Sequence, residues 1–299
     1  MRVEKLSKLV TIGLPTYKCE FRIRKVLDTL LGQDYENIEI IISDDASSDN
    51  GYKIIEEMAS KDKRIKVFNQ KKNIGYLKNF ELVLEKAHGE YFIWAADDDN
   101  WDLKFVSSLK NVLDNNLEFG LAMPSFREVY DGSGEYKETI FAGLNDLSKM
   151  GYLKTFNATL NKKPPVHHLY YGMWRTEVLK KILSTHFLDT IGHDKVLFFE
   201  ASLCVHFYTI PDVLWFKTIY HQTYFERYSP ESKKKFLDKR GYLRFVLASI
   251  KKITFSPVIP WYRKLLLPYF ALAITWSEKK NLLRELSPSF YQALRKIFK

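Results

Sequence analysis

Tyr91-Phe92-Ile93-Trp94-Ala95-Ala96-Asp97-Asp98-Asp99-Asn100-Trp101 couples a run of four apolar residues to three consecutive carboxylates. The apolar run is short, continuous and without alternation, as expected of a strand buried on both faces. Three carboxylates at its C-terminal end repel one another and cannot form a core, so they make sense where something positive sits. Hard cations such as Mg²⁺ or Mn²⁺ take oxygen ligands of this kind. One Asp would be enough to cap the helix expected from Asp102 onward, and three in a row exceed that need.

Upstream, Leu9-Val10-Thr11-Ile12-Gly13-Leu14-Pro15 reads as a first buried strand stopped by Pro15, residues 38–43 as a second and residues 65–68 as a third. Between them, Ile23, Val26, Leu27, Leu30 and Leu31 have helical spacing, Asp49 is placed to cap a helix over 51–59, and a third helix is expected over 74–87. Alternating strands and helices imply a parallel sheet covered on both faces. In such sheets ligands bind beyond the carboxyl ends of the strands. Thr16 and Tyr17, Asp44 and Asp45, and the triplet Asp97 to Asp99 all fall at such ends.

Downstream the sequence predicts a helix over 102–115, a strand over 120–126 and a hairpin whose tip is Gly132-Ser133-Gly134. Pro164-Pro165 breaks any helix and leaves His167 and His168 on a loop. Helical spacing resumes over 172–183 and again over 195–203, and two short strands are expected on either side of Pro211-Asp212.

The 299 residues carry a formal charge of +10, distributed unevenly. From Lys233 onward there are 16 Lys and Arg against 3 Asp and Glu, while the preceding residues have 30 against 33. The tail reads as two or three helices in which basic pairs alternate with aromatic clusters. Trp261, Tyr262, Tyr269, Phe270 and Trp276 are of the type found at membrane interfaces. A basic amphipathic segment too short to span a bilayer suits an anionic leaflet, giving peripheral membrane contact. No nucleic-acid-binding motif accompanies the charge, so no nucleic-acid partner is expected. Cys19 and Cys204 have no metal-ligand or disulfide spacing, which fits a reducing compartment. Residues 9–15 are too short an apolar stretch for a signal peptide, and none is expected.

An ordered series of motifs resembles glycosyltransferase family 2, the inverting enzymes of the GT-A fold. It runs from Leu14-Pro15-Thr16-Tyr17 through Ser43-Asp44-Asp45-Ala46-Ser47-Ser48-Asp49, Asn73-Ile74-Gly75 with Asn79, and Gly89-Glu90-Tyr91. It continues through Asp97-Asp98-Asp99 with Trp101 to Gly172-Met173-Trp174-Arg175 and Gly192-His193-Asp194. The resemblance implies an α/β, Rossmann-like fold with a mixed, mainly parallel sheet, and the composition shift near Ser229 to Lys235 sets the boundary between a catalytic domain over 1–228 and a C-terminal helical extension over 229–299. It implies a nucleoside-diphosphate-sugar donor, with a uridine nucleotide favoured, and a glycan or lipid-linked acceptor. Surface polysaccharide assembly at the cytoplasmic face of the cell membrane would suit such an enzyme.

The residue roles follow from the same resemblance. Pro15, Thr16, Tyr17, Asp44, Asn73 and Lys78 would line the nucleotide pocket, Tyr17 offering a ring face and Asp44 a carboxylate for a base N–H. The triplet resembles the family's Asp-x-Asp motif, holding Mn²⁺ or Mg²⁺ on the donor diphosphate. Aligned on Asn100, the pair is Asp97 and Asp99; aligned on Trp101, Asp98 is its second member. Asp99 is favoured as the metal ligand and Asp98 as a ribose contact, and His221 resembles a late histidine on the metal or diphosphate. Asp194 resembles the base that takes the acceptor's hydroxyl proton during inversion, a role compatible with capping the helix that follows.

Two other enzyme classes share the strand–helix alternation. A dinucleotide-dependent oxidoreductase lacks its Gly-x-Gly-x-x-Gly after the first strand, and a P-loop enzyme its Gly-Lys-Ser/Thr. A nucleotidyltransferase and a catalytically inactive, membrane-bound assembly partner remain the alternatives.

Overall fold

The computed structural model describes residues 7–140, 151–161, 166–184, 193–220, 241–287 and 289. Strands β1 (Val10–Thr16), β2 (Ile38–Asp44), β3 (Ile65–Asn69) and β4 (Tyr91–Trp94) alternate with helices α1 (Ile23–Leu31), α2 (Gly51–Lys61) and α3 (Tyr76–Glu85). The strands lie in the order β3-β2-β1-β4, all parallel. Thr16 pairs with Asp44, and Asp44 with Asn69, so three strand ends stand level. β1 and β2 are buried along their whole length, which is why their sequences do not alternate. α1 turns Ile23, Val26, Leu27 and Leu30 inward, a single stripe at helical period.

Next come β5 (Asn100–Trp101), α4 (Phe105–Asn115), β6 (Phe119–Tyr130), β7 (Tyr136–Thr139), α5 (Tyr152–Asn161) and a 3₁₀ turn (Val166–Tyr171). After these follow β8 (Met173–Arg175), α6 (Thr176–Leu183), α7 (His193–Ala201) and β9 (His206–Ile219). The C-terminal helices are α8 (Gly241–Phe255), α9 (Trp261–Lys264), α10 (Leu267–Ser277) and α11 (Lys279–Leu286). β8 runs antiparallel between β4 and β6, β9 is parallel to β6, and β5 is antiparallel to β9. The sheet is therefore mixed, its long ladders parallel, as expected.

Three elements differ from the sequence expectation. Residues 173–175 form a strand rather than the start of a helix, because pairing on both sides overrides local spacing. Residues 206–219 form one strand, not two. Its register jumps from Pro124 opposite Ile210 to Ser125 opposite Val213, so Pro211-Asp212 is accommodated as an irregularity where proline lacks an N–H to donate. Asn100-Trp101 forms a two-residue strand directly after the acidic triplet, with α4 starting later than expected, at Phe105.

The chain divides into two compact units. The sheet unit comprises Met1–Lys149, His168–Lys180 and Val205–Gln222; the helical unit comprises Met150–His167, Lys181–Cys204 and Thr223–Lys299. The helical unit has its own core, in which Phe156, Phe199, Phe245, Ile253, Phe270 and Ile274 meet. Its buried Lys252 ammonium lies 3.1 Å from Glu200 and donates to the Ile182 carbonyl at 2.7 Å. The boundary expected at 228 lies outside the described residues. Among those residues no helix is long and apolar enough to cross a membrane.

Candidate active site

The loops after β1 and β2 are laced together. The Asp45 N–H donates to the Thr16 carbonyl at 3.0 Å, and the Lys18 N–H to Ser47 Oγ at 2.9 Å. Asp44, buried at the end of β2, accepts from the Ser47 N–H at 2.8 Å and from Ser47 Oγ at 2.6 Å, with Thr16 Oγ1 at 3.3 Å. Lys18 and Ala46 hold left-handed backbone at φ 51° and 57°. Such conformations cost free energy in residues other than glycine and collect at ligand-holding loops.

Asp45 ties the β2 loop to the turn at residues 73–75. Its two oxygens accept the N–H groups of Ile74 and Gly75 at 2.6 and 3.0 Å. Burial raises its pKa, and those two N–H groups work against the rise. Asn73 bonds the Asp45 carbonyl and accepts from Gly75 N–H, so its side chain shapes this turn. Gly75, at φ 87°, takes a conformation glycine adopts without strain. Beneath them the buried Asn79 amide donates to the Ser43 carbonyl at 2.9 Å and to that of Thr16 at 3.4 Å, joining the ends of β1 and β2.

The acidic triplet splits between two sides. Asp97 faces the β1 loop, 3.4 Å from both the Arg22 guanidinium and the Tyr17 N–H. Asp99 is buried against β9, accepting from the Trp215 indole N–H and the Thr218 N–H, each at 2.9 Å. Burial, followed by the Asp98 charge, pushes the Asp99 pKa up to about 8 against the pull of Thr218, Lys217 and Trp215. Asp98 stands between these two at the partly exposed turn.

No three His, Cys, Asp or Glu side chains gather into a cation cage among the described residues. The donor chemistry nevertheless fits a divalent ion. Each Asp99 oxygen accepts one bond and retains a lone pair, and the repulsion from Asp98 is what a cation there would relieve.

The remaining expected residues are placed as follows. Pro15 lies buried within β1 and Lys78 exposed on α3. Asp194 belongs to the helical unit, in the first turn of α7, where a carboxylate also complements the helix dipole. His221 lies outside the described residues. His168 is not on an open loop: it is buried, 3.2 Å from Lys217 Nζ and 4.6 Å from the Phe126 ring centroid. Arg175 serves the scaffold, donating to the carbonyls of Leu113, Asn116 and Phe119.

Arg22, Trp215, Lys217 and Thr218 were not singled out from sequence. The last three lie more than 100 residues from the acid they hold, beyond the reach of local spacing. For Arg22, the available signal was a cation opening a helix that directly follows the first strand's loop.

The family profile for glycosyl transferase family 2 matches residues 11–183. A Haemophilus influenzae protein described as an uncharacterized glycosyltransferase is 37% identical over 113 residues, 38% of this chain and 42% of its own length. The Escherichia coli protein WfaP, a UDP-Glc:alpha-D-GlcNAc-diphosphoundecaprenol beta-1,3-glucosyltransferase, is 31% identical over 38% of this chain and 44% of its own. The chain thus spans less than half the length of these relatives in the matched stretch. Among solved structures, Staphylococcus aureus TarS 1–349 in complex with UDP-GlcNAc aligns with a TM-score of 0.64 at 17% identity, covering 93% of this chain and 75% of that one. The Pyrobaculum calidifontis mannosyltransferase PcManGT, in complex with GDP-Man and Mn²⁺, aligns at 0.52 with 14% identity, covering 98% and 80%. Both likenesses concern the fold, and they bear out the GT-A architecture.

Proposed function

The chain belongs to glycosyl transferase family 2, and on that premise we propose that it moves a sugar from a nucleoside-diphosphate-sugar to a hydroxyl of a glycan or lipid-linked acceptor, with inversion. The observation that carries this reading is the level ending of β1 and β2 beside the acid-tipped β4. There Thr16, Tyr17, Asp44 and Asp97 are drawn together by direct bonds. UDP-sugars are the favoured donors, supported by the UDP-GlcNAc complex of TarS and by WfaP, a UDP-Glc-dependent glucosyltransferase by name. WfaP's diphosphoundecaprenol acceptor supports a lipid-linked acceptor here, and surface polysaccharide assembly at the inner membrane face would suit such an acceptor.

In this reading Asp44 and Tyr17 receive the base, Asn73 and Lys78 edge the nucleotide, and Asp98 meets the ribose. Asp99 is the direct ligand of Mn²⁺ or Mg²⁺, with Asp97 or His221 completing the set. When bound there, such an ion would supply Lewis-acid stabilisation of the charge growing on the leaving diphosphate. Asp194 takes the acceptor hydroxyl proton, a step worth roughly 10²- to 10⁴-fold in rate.

Replacing Asp194 with Asn tests the mechanism. UDP release from UDP-glucose or UDP-GlcNAc, with a glycosylated polyprenyl diphosphate as acceptor, is expected to fall at least a hundredfold. UDP-induced stabilisation should stay unchanged. Full activity in Asp194→Asn would remove the base assignment.

A further inference from the structure

α10 is apolar on both sides, which a helix at a water boundary does not need. One side, with Phe270 and Ile274, enters the helical unit's core against Phe156 and Ile253. The other side faces out. Across α9, the turn at 265–266 and α10, Trp261, Leu265, Tyr269, Leu272 and Trp276 recur every three or four residues, the spacing of one stripe, and all five are exposed. Trp261 is 74% exposed, Leu265 70%, Leu272 71% and Trp276 68%, while Tyr269 between them is 40% exposed with its hydroxyl donating to Asn157 at 2.7 Å. It continues on α11 through Leu283, where a cavity of about 230 Å³ opens between Leu272, Trp276 and Leu283. Lys279 Nζ sits at its edge, 3.5 Å from the Trp276 ring centroid.

The charges around the stripe have one sign. Residues 241–287 include eight Lys and Arg and two acids. Both acids are used internally: Glu278 is buried, near Lys195 and bonded to Asn281, and Glu285 accepts the N–H groups of Tyr242 and Leu243. Lys251, Lys279, Lys280 and Arg284 are exposed. An aromatic and aliphatic stripe edged by cations, with its acids turned inward, complements a surface that is anionic outside and hydrocarbon within.

We infer that the outward stripe of α9, α10 and α11 docks on an anionic lipid bilayer. Trp261, Leu265, Leu272 and Trp276 enter the headgroup–acyl boundary, Lys279, Lys280 and Arg284 meet the lipid phosphates, and the cavity beside Trp276 receives part of one hydrocarbon chain. This rests on the proposal of a lipid-linked acceptor and specifies the surface that brings the enzyme to it.

The full chain should co-sediment with vesicles of phosphatidylcholine and phosphatidylglycerol, less with phosphatidylcholine alone, and less as salt rises. The double variant Trp261→Ser/Trp276→Ser is expected to lose at least tenfold in binding. Lys279→Ser, Lys280→Ser and Arg284→Ser should each lose about fivefold, and only on anionic vesicles. Stabilisation by UDP with Mn²⁺ should persist in all of them, reporting both an intact fold and an intact donor site. Wild-type protein that ignores anionic vesicles, or aromatic variants that bind as well as wild type, would overturn the docking surface. So would a solution dimer that the same aromatic substitutions split, since the stripe would then be covered by a second copy. Vesicle binding by a chain that no nucleotide stabilises would leave the docking surface standing and remove the transferase reading.

Discussion

Asp114 shows how strongly single polar contacts anchor the sheet unit. It accepts from Lys8 at 2.7 Å, from Lys110 at 2.6 Å and from the Tyr91 hydroxyl at 2.6 Å, tying α4 to β4 and to Lys8, two residues before β1. Burial alone would raise its pKa, but the bonds from Lys110, Lys8 and Tyr91 override burial and hold it well below the usual carboxylate range. A depressed folded-state pKa contributes stability above the unfolded value and loses it as pH falls toward the folded one. Asp114→Asn should therefore cost about 1–2 kcal/mol at neutral pH, its partners being partly screened by water. The gap from wild type should begin to close below about pH 4 in urea titrations. At the acidic triplet, sequence revealed which residues were exceptional but not their directions. Asp97 turns to Arg22 and Asp99 to Trp215, and those directions are set by partners remote in sequence.

At the level of elements, close backbone approach fixes the β1–β4 seam. A Cβ on Gly89 would lie 2.7 Å from both the Leu9 carbonyl oxygen and the Thr11 nitrogen, backbone atoms that cannot step aside. Gly89 N–H also donates to Thr11 Oγ1 at 2.8 Å. Gly89→Ala is expected to destabilise by about 1–3 kcal/mol through overpacking, read as a lower Tm. β1 to β4 and their helices were legible because long buried runs and amphipathic stripes are local signals. β5 and β8 were not, since two or three residues carry no period and owe their form to neighbouring strands. β9 was split in the reading because Pro211 is an ordinary strand breaker, and only the partner strand accommodates the irregularity. The hairpin at Gly132-Ser133-Gly134 was legible from turn chemistry, and both glycines take positive φ.

On the scale of the whole molecule, the acids proposed to hold the donor lie in the sheet unit, while Asp194, proposed as the base, and the stripe proposed to meet lipid lie in the helical unit. Variants should separate accordingly. Changes at Asp44 should abolish nucleotide binding, changes at Asp99 its metal-dependent part, and Asp194→Asn turnover alone. The most direct test of the central claim is the thermal shift of the full chain with UDP, GDP and other nucleoside diphosphates, with and without Mn²⁺. One nucleotide, present at a hundredfold above its Kd with Mn²⁺, should add about 2.7 kcal/mol and raise Tm by roughly 5 °C, with a smaller rise without metal or in Asp99→Asn, and none in Asp44→Asn. Stabilisation by no nucleotide, or an equal shift in wild type and both variants, would contradict the claim that the acids at these strand ends hold a sugar nucleotide.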